Sequence, residues 1–249
     1  MSCAGGTAPP GARGERQAAA WVRGMFGRVA RRYDFLNHLL SMQFDRLWRR
    51  RTVRKLEPWL SKPGSRVMDL CCGTGDLLLA LQSRRTGVVF GSDFCHPMLL
   101  EAARKIARRR AKCALVEADA LRLPLADGSL DLVTVAFGFR NLANYEAGLR
   151  EMRRVLRPGG AAAILEFSQP PNPAFRRVYQ CYARRILPVI GGLISGSQDA
   201  YRYLPESVRR FPNAEELAEH MRRAGFADVE FERFTGGIVA LHIGRQPSA

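Results

Sequence analysis

The segment Asp69-Leu-Cys-Cys-Gly73-Thr74-Gly75-Asp76 combines two glycines with two flanking carboxylates. Glycines between a strand and a helix permit a tight turn and let a ligand approach the main chain closely. A dinucleotide fingerprint needs a third glycine, and Leu78 occupies its position. The flanking acids would repel a pyrophosphate and attract an ammonium or sulfonium. Two more acids follow. Asp93, 20 residues after Gly73, is placed to accept from two ribose hydroxyls, and Asp119, in Glu117-Ala-Asp-Ala120, to accept from an adenine amino group. Each alone reads equally well as a strand-end cap or turn residue. Asp69, Asp93 and Asp119 at three successive strand ends favour a cationic nucleoside, S-adenosylmethionine over NAD.

Other residues offer less chemistry. Cys3, Cys71, Cys72, Cys95, Cys113 and Cys181 form no Cys-x-x-Cys pair, and none of His38, His96, His220 and His242 has metal-ligand spacing with another. No metal is expected. His220 reads as inert on a surface helix and His242 as a satisfied core residue. The chain shows no Ser/His/Asp or Cys/His triad signature.

Acids held at successive strand ends require a parallel sheet, and from Arg66 onward short aliphatic runs alternate with helical stretches. The pattern predicts strands over 66–71, 87–93, 113–117, 130–137 and 161–167, then a closing hairpin-like pair over 229–234 and 237–244. Helices are expected from Pro97 to about Arg110 and over 145–156, the second stopped by Arg157-Pro-Gly-Gly160. Asn213 and Glu216 read as a capping box for a helix ending near Gly225. The result is a single doubly wound α/β domain over 18–246, its seven-stranded sheet mostly parallel with helices on both faces. Residues 18–60 form a helical N-terminal cover and 172–210 a helical insertion. Ligands in such folds lie beyond the carboxyl ends of the strands, so both segments would roof the site. Residues 1–17, rich in Gly, Pro and Ala, read as a flexible tail, and 247–249 as a second tail.

Longer patterns run through the chain: Tyr33-Asp-Phe-Leu-Asn37 with Ser41 and Trp48; the glycine loop; Phe137-Gly-Phe-Arg-Asn141; Arg154-Val-Leu-Arg-Pro-Gly-Gly160 with Glu166-Phe-Ser168; and Tyr201-Arg-Tyr-Leu204. Over residues 25–246 they resemble the class I S-adenosylmethionine-dependent methyltransferases, and within them the ubiquinone/menaquinone biosynthesis C-methyltransferases. The glycine loop speaks only to the cofactor class, whereas the first and fourth patterns are specific to the quinone family. The resemblance implies a Rossmann-like class I methyltransferase fold and methylation of a ring carbon of a reduced polyprenyl quinone. A demethylmenaquinol is the first expectation and 2-methoxy-6-polyprenyl-1,4-benzoquinol the alternative. The quinone itself is electrophilic. Its hydroquinone, once a phenol proton leaves, carries carbanion character on the ortho carbon.

The glycine-loop residues Asp69, Gly73 and Gly75 are joined, by the resemblance, by Thr74, Asp93, Asp119 and Ala120 as donor contacts, with Ala136 and Phe137 at the end of the fourth strand. The family commonly has serine at 136, so a hydroxyl contact is lost here. Arg140, with Asn141 beside it, is the candidate phenolate partner, since a guanidinium lowers a phenol's pKa and can hold a water that takes the proton. The other reading of Arg140 is a brace on a nearby carboxylate. Tyr33, Asp34 and Asn37 form a second candidate set, in which Asp34 either accepts the proton or caps the next helix. Tyr201 and Tyr203 either line the ring pocket or simply pack. The family usually shows Ser-x-Gly-x-His-x-x-Trp where this chain has Ser41-Met-Gln43-Phe-Asp45-Arg-Leu-Trp48, so Asp45 is assigned no acid–base role.

Lys and Arg total 39 against 23 Asp and Glu, a net charge of +16 that points first to nucleic acid or an anionic membrane. Amino-directed nucleic-acid methyltransferases carry Asn/Asp-Pro-Pro-aromatic after the fourth strand, and pyrimidine ring-carbon enzymes a cysteine near it. Ala136-Phe-Gly-Phe-Arg-Asn141 has neither, so no nucleic-acid partner is expected. A non-enzymatic scaffold and a methyltransferase of other small molecules are the remaining rivals. Between Trp21 and Lys55 lie ten basic residues and two acids, mixed with Trp21, Phe26, Phe35 and Phe44. That mixture suits transient adsorption to an anionic membrane surface, and equally a solvated basic face over core aromatics. The longest apolar runs reach about half of the ~18 residues that span a bilayer. The expected location is cytoplasmic, peripheral at the inner face of the membrane, and a homodimer would be unsurprising.

Overall fold

The aliphatic runs read as strands have apolar residues at consecutive positions, which a strand can bury only if both of its faces are covered. The computed structural model describes residues 5–84, 87–182 and 198–248, and in it these runs form one sheet clad by helices. The strands are β1 (Val67–Leu70), β2 (Val89–Asp93), β3 (Cys113–Glu117), β4 (Leu130–Ala136), β5 (Leu156–Phe167), β6 (Ala227–Phe234) and β7 (Val239–Arg245). Their spatial order is β3-β2-β1-β4-β5-β7-β6. Strands β1 to β5 pair in parallel, and β7 lies antiparallel between β5 and β6. Val67, Leu132 and Ala161 enter one core, while their successors Met68, Val133 and Ala162 enter the other. The chain runs outward from β1 to β3 and returns to β4, so the crevice for a ligand opens beyond the carboxyl ends of β1 and β4.

Helices α1 (Glu15–Val29), α2 (Tyr33–Leu40), α3 (Phe44–Lys55) and the short α4 (Glu57–Leu60) make the cover. Within the sheet domain come α5 (Asp76–Gln82), α6 (His96–Arg109) and α7 (Tyr145–Val155). After β5 follow α8 (Pro173–Cys181), α9 (Gln198–Arg210) and α10 (Ala214–Arg223). The capping box at α10 is present: Asn213 Oδ1 accepts from the Glu216 N–H at 3.0 Å, and the Glu216 carboxylate accepts from the Asn213 N–H at 2.8 Å.

Two expectations are corrected. The helix α7 stops at Val155 as expected, but β5 starts at Leu156 and not at 161, so Arg157-Pro-Gly-Gly160 lies inside its irregular start, where the register against β4 shifts between Leu130 and Leu132 and Leu156 pairs with Leu130. Residues 5–9, assigned to a flexible tail, are bonded to the domain. The Tyr145 N–H donates to Gly5 O and the Thr7 N–H to Leu142 O, each at 2.8 Å, and the Thr7 and Tyr203 hydroxyls lie 2.6 Å apart. A Cβ on Gly6 would stand 2.0 Å from Ala143 O, so the small residues that suggested looseness allow close backbone approach.

Candidate active site

The glycine loop carries the chain from β1 into α5 with Gly73 and Gly75 at φ 55° and 84°. A cavity lies over it. Asp69, Gly73, Thr74, Asp93, Asp119 and Ala120 line this cavity, as do Ala136 and Phe137 from the end of β4. Gly75 does not, serving instead as the left-handed N-cap of α5. Asp69 is buried, accepts the Thr134 hydroxyl at 2.7 Å, and is pushed up to about 7 by burial. Asp93 accepts the Gly73 and Cys95 N–H groups, each at 2.9 Å, and burial raises its pKa as well. Those bonds fix the loop and leave lone pairs for a ligand hydroxyl. Asp119 accepts the Leu121 N–H at 2.9 Å, so it is a turn residue and a cavity residue at once.

Asp34 and Asp76 depart from expectation. Asp34 lines neither this cavity nor the next and does not cap α2; its carboxylate takes the Thr74 hydroxyl at 2.5 Å and Lys105 at 2.5 Å, tying the cover to the glycine loop. Asp76 pairs with Lys105 at 2.7 Å. Burial opposes its charge, but Arg49 and Lys105 together hold it below the ordinary carboxylate range. The loop therefore offers a ligand less negative charge than its sequence suggests.

A second cavity, about 440 Å³, is walled by the cover, the segment after β5 and α8, with Met25, Val29, Phe44, Trp48, Phe167 and Tyr179 among its apolar lining. The Phe137 ring sits 5.0 Å from Phe167 and 6.0 Å from Trp48, centroid to centroid, and the Trp48 indole N–H donates to Thr235 Oγ1 at 2.8 Å. Arg140 faces this space, but it is also a brace. It donates to Glu166 at 3.1 Å and to Phe137 O at 2.5 Å, with both partners buried. Tyr203 lines the cavity and donates to Asn141 Oδ1 at 3.0 Å, while Asn141 itself lines the first cavity. The side chain of Tyr201 lies outside the described residues. Phe26, Tyr33, Arg49 and Phe137 line both cavities and form the wall between them. Burial raises the Tyr33 phenol, so it remains a neutral donor at ordinary pH.

Sequence reasoning missed two features. Glu166, quoted only within a motif, is the buried partner of Arg140. His38 Nδ1 lies 2.8 Å from Asp45, which also accepts from Ser41 at 2.7 Å and pairs with Arg49. The Asp45-to-Arg49 spacing of one helical turn within α3 was the available signal. His38, Asp45 and Asp76 form a grouping of metal-ligand type, but Arg49 and Lys105 already engage its carboxylates.

Residues 13–246 match the model of the ubiE/COQ5 methyltransferase family. The chain belongs to this family. The methyltransferase is 51% identical over 224 residues to the demethylmenaquinone methyltransferase of Thermus thermophilus, covering 90% of this chain and 100% of that one. It is 45% identical over 224 residues to the protein of the same name in Deinococcus radiodurans, covering 90% and 91%. Among solved structures it is similar to an S-adenosylmethionine-dependent methyltransferase of Thermotoga maritima, described as a possible histamine N-methyltransferase (TM-score 0.64, 18% identity, covering 90% and 98%). The cyclase SpnF is another structural neighbour (TM-score 0.68, 17% identity, covering 98% and 100%). These two share the fold, the class I methyltransferase architecture of a mostly parallel seven-stranded sheet.

The first cavity of the methyltransferase fits S-adenosylmethionine on its own chemistry. A Cβ on Gly73 would meet nothing within 4 Å, leaving a cradle beside acids at three strand ends.

Proposed function

We propose that this methyltransferase transfers a methyl group from S-adenosylmethionine to a ring carbon of a demethylmenaquinol, giving the menaquinol. The observation that carries the reading is the meeting of an acid-lined cavity with an apolar one across Phe26, Tyr33, Arg49 and Phe137. The relatives named demethylmenaquinone methyltransferase supply the substrate class.

S-adenosylmethionine supplies a methyl group made electrophilic by its sulfonium. The protein's task is alignment: Asp93 would hold the ribose hydroxyls and Asp119 the adenine, and Tyr33 and Phe137 set the quinol ring where the two cavities adjoin. Arg140, with Glu166 behind it, presents a fixed cationic edge that favours phenolate over phenol and orients the water that receives the proton. The ortho carbon bonds to the methyl as the sulfur–methyl bond breaks, the ring proton at that carbon leaves, and the phenolate is reprotonated. One proton is released overall. No metal enters this scheme.

A substrate with a polyprenyl tail must arrive from a bilayer. Phe35, Met42, Phe44 and Val178 are exposed, and the last three also line the mouth of the apolar cavity. Nine of the ten basic residues between Trp21 and Lys55 are exposed in the same part of the chain. Among the described residues no helix is long and apolar enough to cross a membrane. Peripheral, transient adsorption to an anionic leaflet at the cytoplasmic face fits these features.

The test is methyl transfer from labelled S-adenosylmethionine to a short-chain demethylmenaquinone, either reduced or left oxidised. Labelled menaquinol from the reduced form alone is the expected result. Methylation of a methoxy-benzoquinol but not the naphthoquinol would move the substrate to the other ring. Failure with both quinols, donor bound, would sink the reading.

A further inference from the structure

Nine of the ten basic residues between Trp21 and Lys55 reach solvent, and Arg49 is the exception, only 8% exposed. It projects from α3 one turn beyond Asp45. Its guanidinium pairs with Asp45, stands 3.9 Å from Asp76, and lies 5.4 Å from the centre of the Phe137 ring. Its Nε is buried and has no hydrogen-bond partner. A buried N–H left this way is rare in a native interior and is open to a partner that the chain itself does not supply.

The charges around the donor cavity point to that partner. Asp69, Asp76, Asp93 and Asp119 line it, and Arg49 is the one cationic side chain among its described lining residues. The amino-acid end of S-adenosylmethionine carries an ammonium and a carboxylate. Carboxyl groups suit the ammonium, the sulfonium and the ribose hydroxyls, but they give the carboxylate no cationic partner. A guanidinium with an unused N–H is the matching group.

We propose that Arg49 binds the carboxylate of the donor's amino-acid end through its Nε, making the cover helix α3 part of the donor site. The inference rests on the donor assignment above. It separates Arg49 from Arg140: the first faces the donor's carboxylate and the second the acceptor ring. Because Arg49 also lines the apolar cavity, the bound donor completes the wall against which the ring is set.

The test compares two ligands by calorimetry: S-adenosylhomocysteine and its decarboxylated analogue, S-adenosyl-3-thiopropylamine. The wild type should prefer the carboxylated ligand by about 10- to 100-fold, the range of a hydrogen bond to a charged group. Arg49→Gln should erase the preference by weakening S-adenosylhomocysteine alone, and Arg49→Lys should restore part of it. If Arg49→Gln weakens both ligands equally, or the wild type shows no preference, the residue is only a brace between Asp45 and Asp76 and the proposal falls. If neither ligand binds the wild type, the donor assignment itself is wrong. Should Arg49→Gln fail to fold because buried Asp45 loses its arginine, the double variant Asp45→Asn/Arg49→Gln removes both charges and permits the same comparison.

Discussion

Asp69 keeps a carboxyl at the end of β1 under conditions that favour its neutral form. Burial raises it from 3.8 to about 7, so between those values the folded protein binds more protons than the unfolded chain. Stability should therefore fall as pH rises through that window. Asp69→Asn can still accept from Thr134 and does not titrate. Urea unfolding of the ligand-free protein should show the wild type losing about 2–4 kcal/mol relative to the variant from low to neutral pH. An identical slope in both proteins would contradict the assignment. Arg140 calls for a different test because it braces and faces the site at once. Arg140→Ala leaves Glu166 charged and unpaired in the interior, at a cost of about 3–5 kcal/mol. Arg140→Met with Glu166→Gln removes the stranded charge, so the unfolding midpoint should recover while turnover stays low. Recovery of both would make the pair purely structural. That the three strand-end acids meet in one cavity was legible because type and spacing alone mark them. Glu166 and Arg49 were not, since what distinguishes them is burial and a partner. Arg140 and Glu166 sit 26 residues apart, and Arg49 lies within a run of surface arginines.

Elements whose signals are local were read correctly, as was the mostly parallel sheet, whereas the contacts of the N-terminal residues were not. Asn213 and Glu216 are three residues apart, so the cap of α10 shows directly in the sequence; Asn213→Ala should cost about 1 kcal/mol in thermal or chemical unfolding. The Gly5–Pro9 strap bonds to residues far along the chain, Leu142, Tyr145 and Tyr203, so its composition suggested only entropy. Its partners border Asn141, Leu142 and Ala143 in the lining of the donor cavity. Gly6→Val should lift the strap off and speed amide exchange at Tyr145, measured by hydrogen–deuterium exchange. Unchanged exchange there would mean that the strap does not protect the loop. The β5 start misled for a similar reason: Pro and Gly normally end an element, yet here the register shift against β4 accommodates them.

At the scale of the whole molecule, the net charge of +16 first suggested a polyanion, and nine of the ten basic residues between Trp21 and Lys55 are exposed in a stretch of chain that also exposes Phe35, Leu39, Met42 and Phe44. Long-range attraction from such a face is screened beyond about 8 Å at physiological salt. Adsorption should therefore need both anionic lipid and apolar insertion. In flotation with phosphatidylglycerol-containing vesicles, the wild type should rise at low salt and Phe35→Ser/Met42→Ser should remain below. Flotation indifferent to salt, lipid charge and these substitutions would count against docking. The mostly parallel sheet and a site beyond its strand ends follow from patterns in the chain, but only the folded molecule shows two cavities divided by one wall of four residues. That thin partition has a pharmacological consequence. A molecule carrying an adenosyl group and a naphthol ring on a short linker would span the partition and engage both pockets at once. Its affinity would exceed either half's by effective concentration, and its selectivity would come from requiring both pockets in one target.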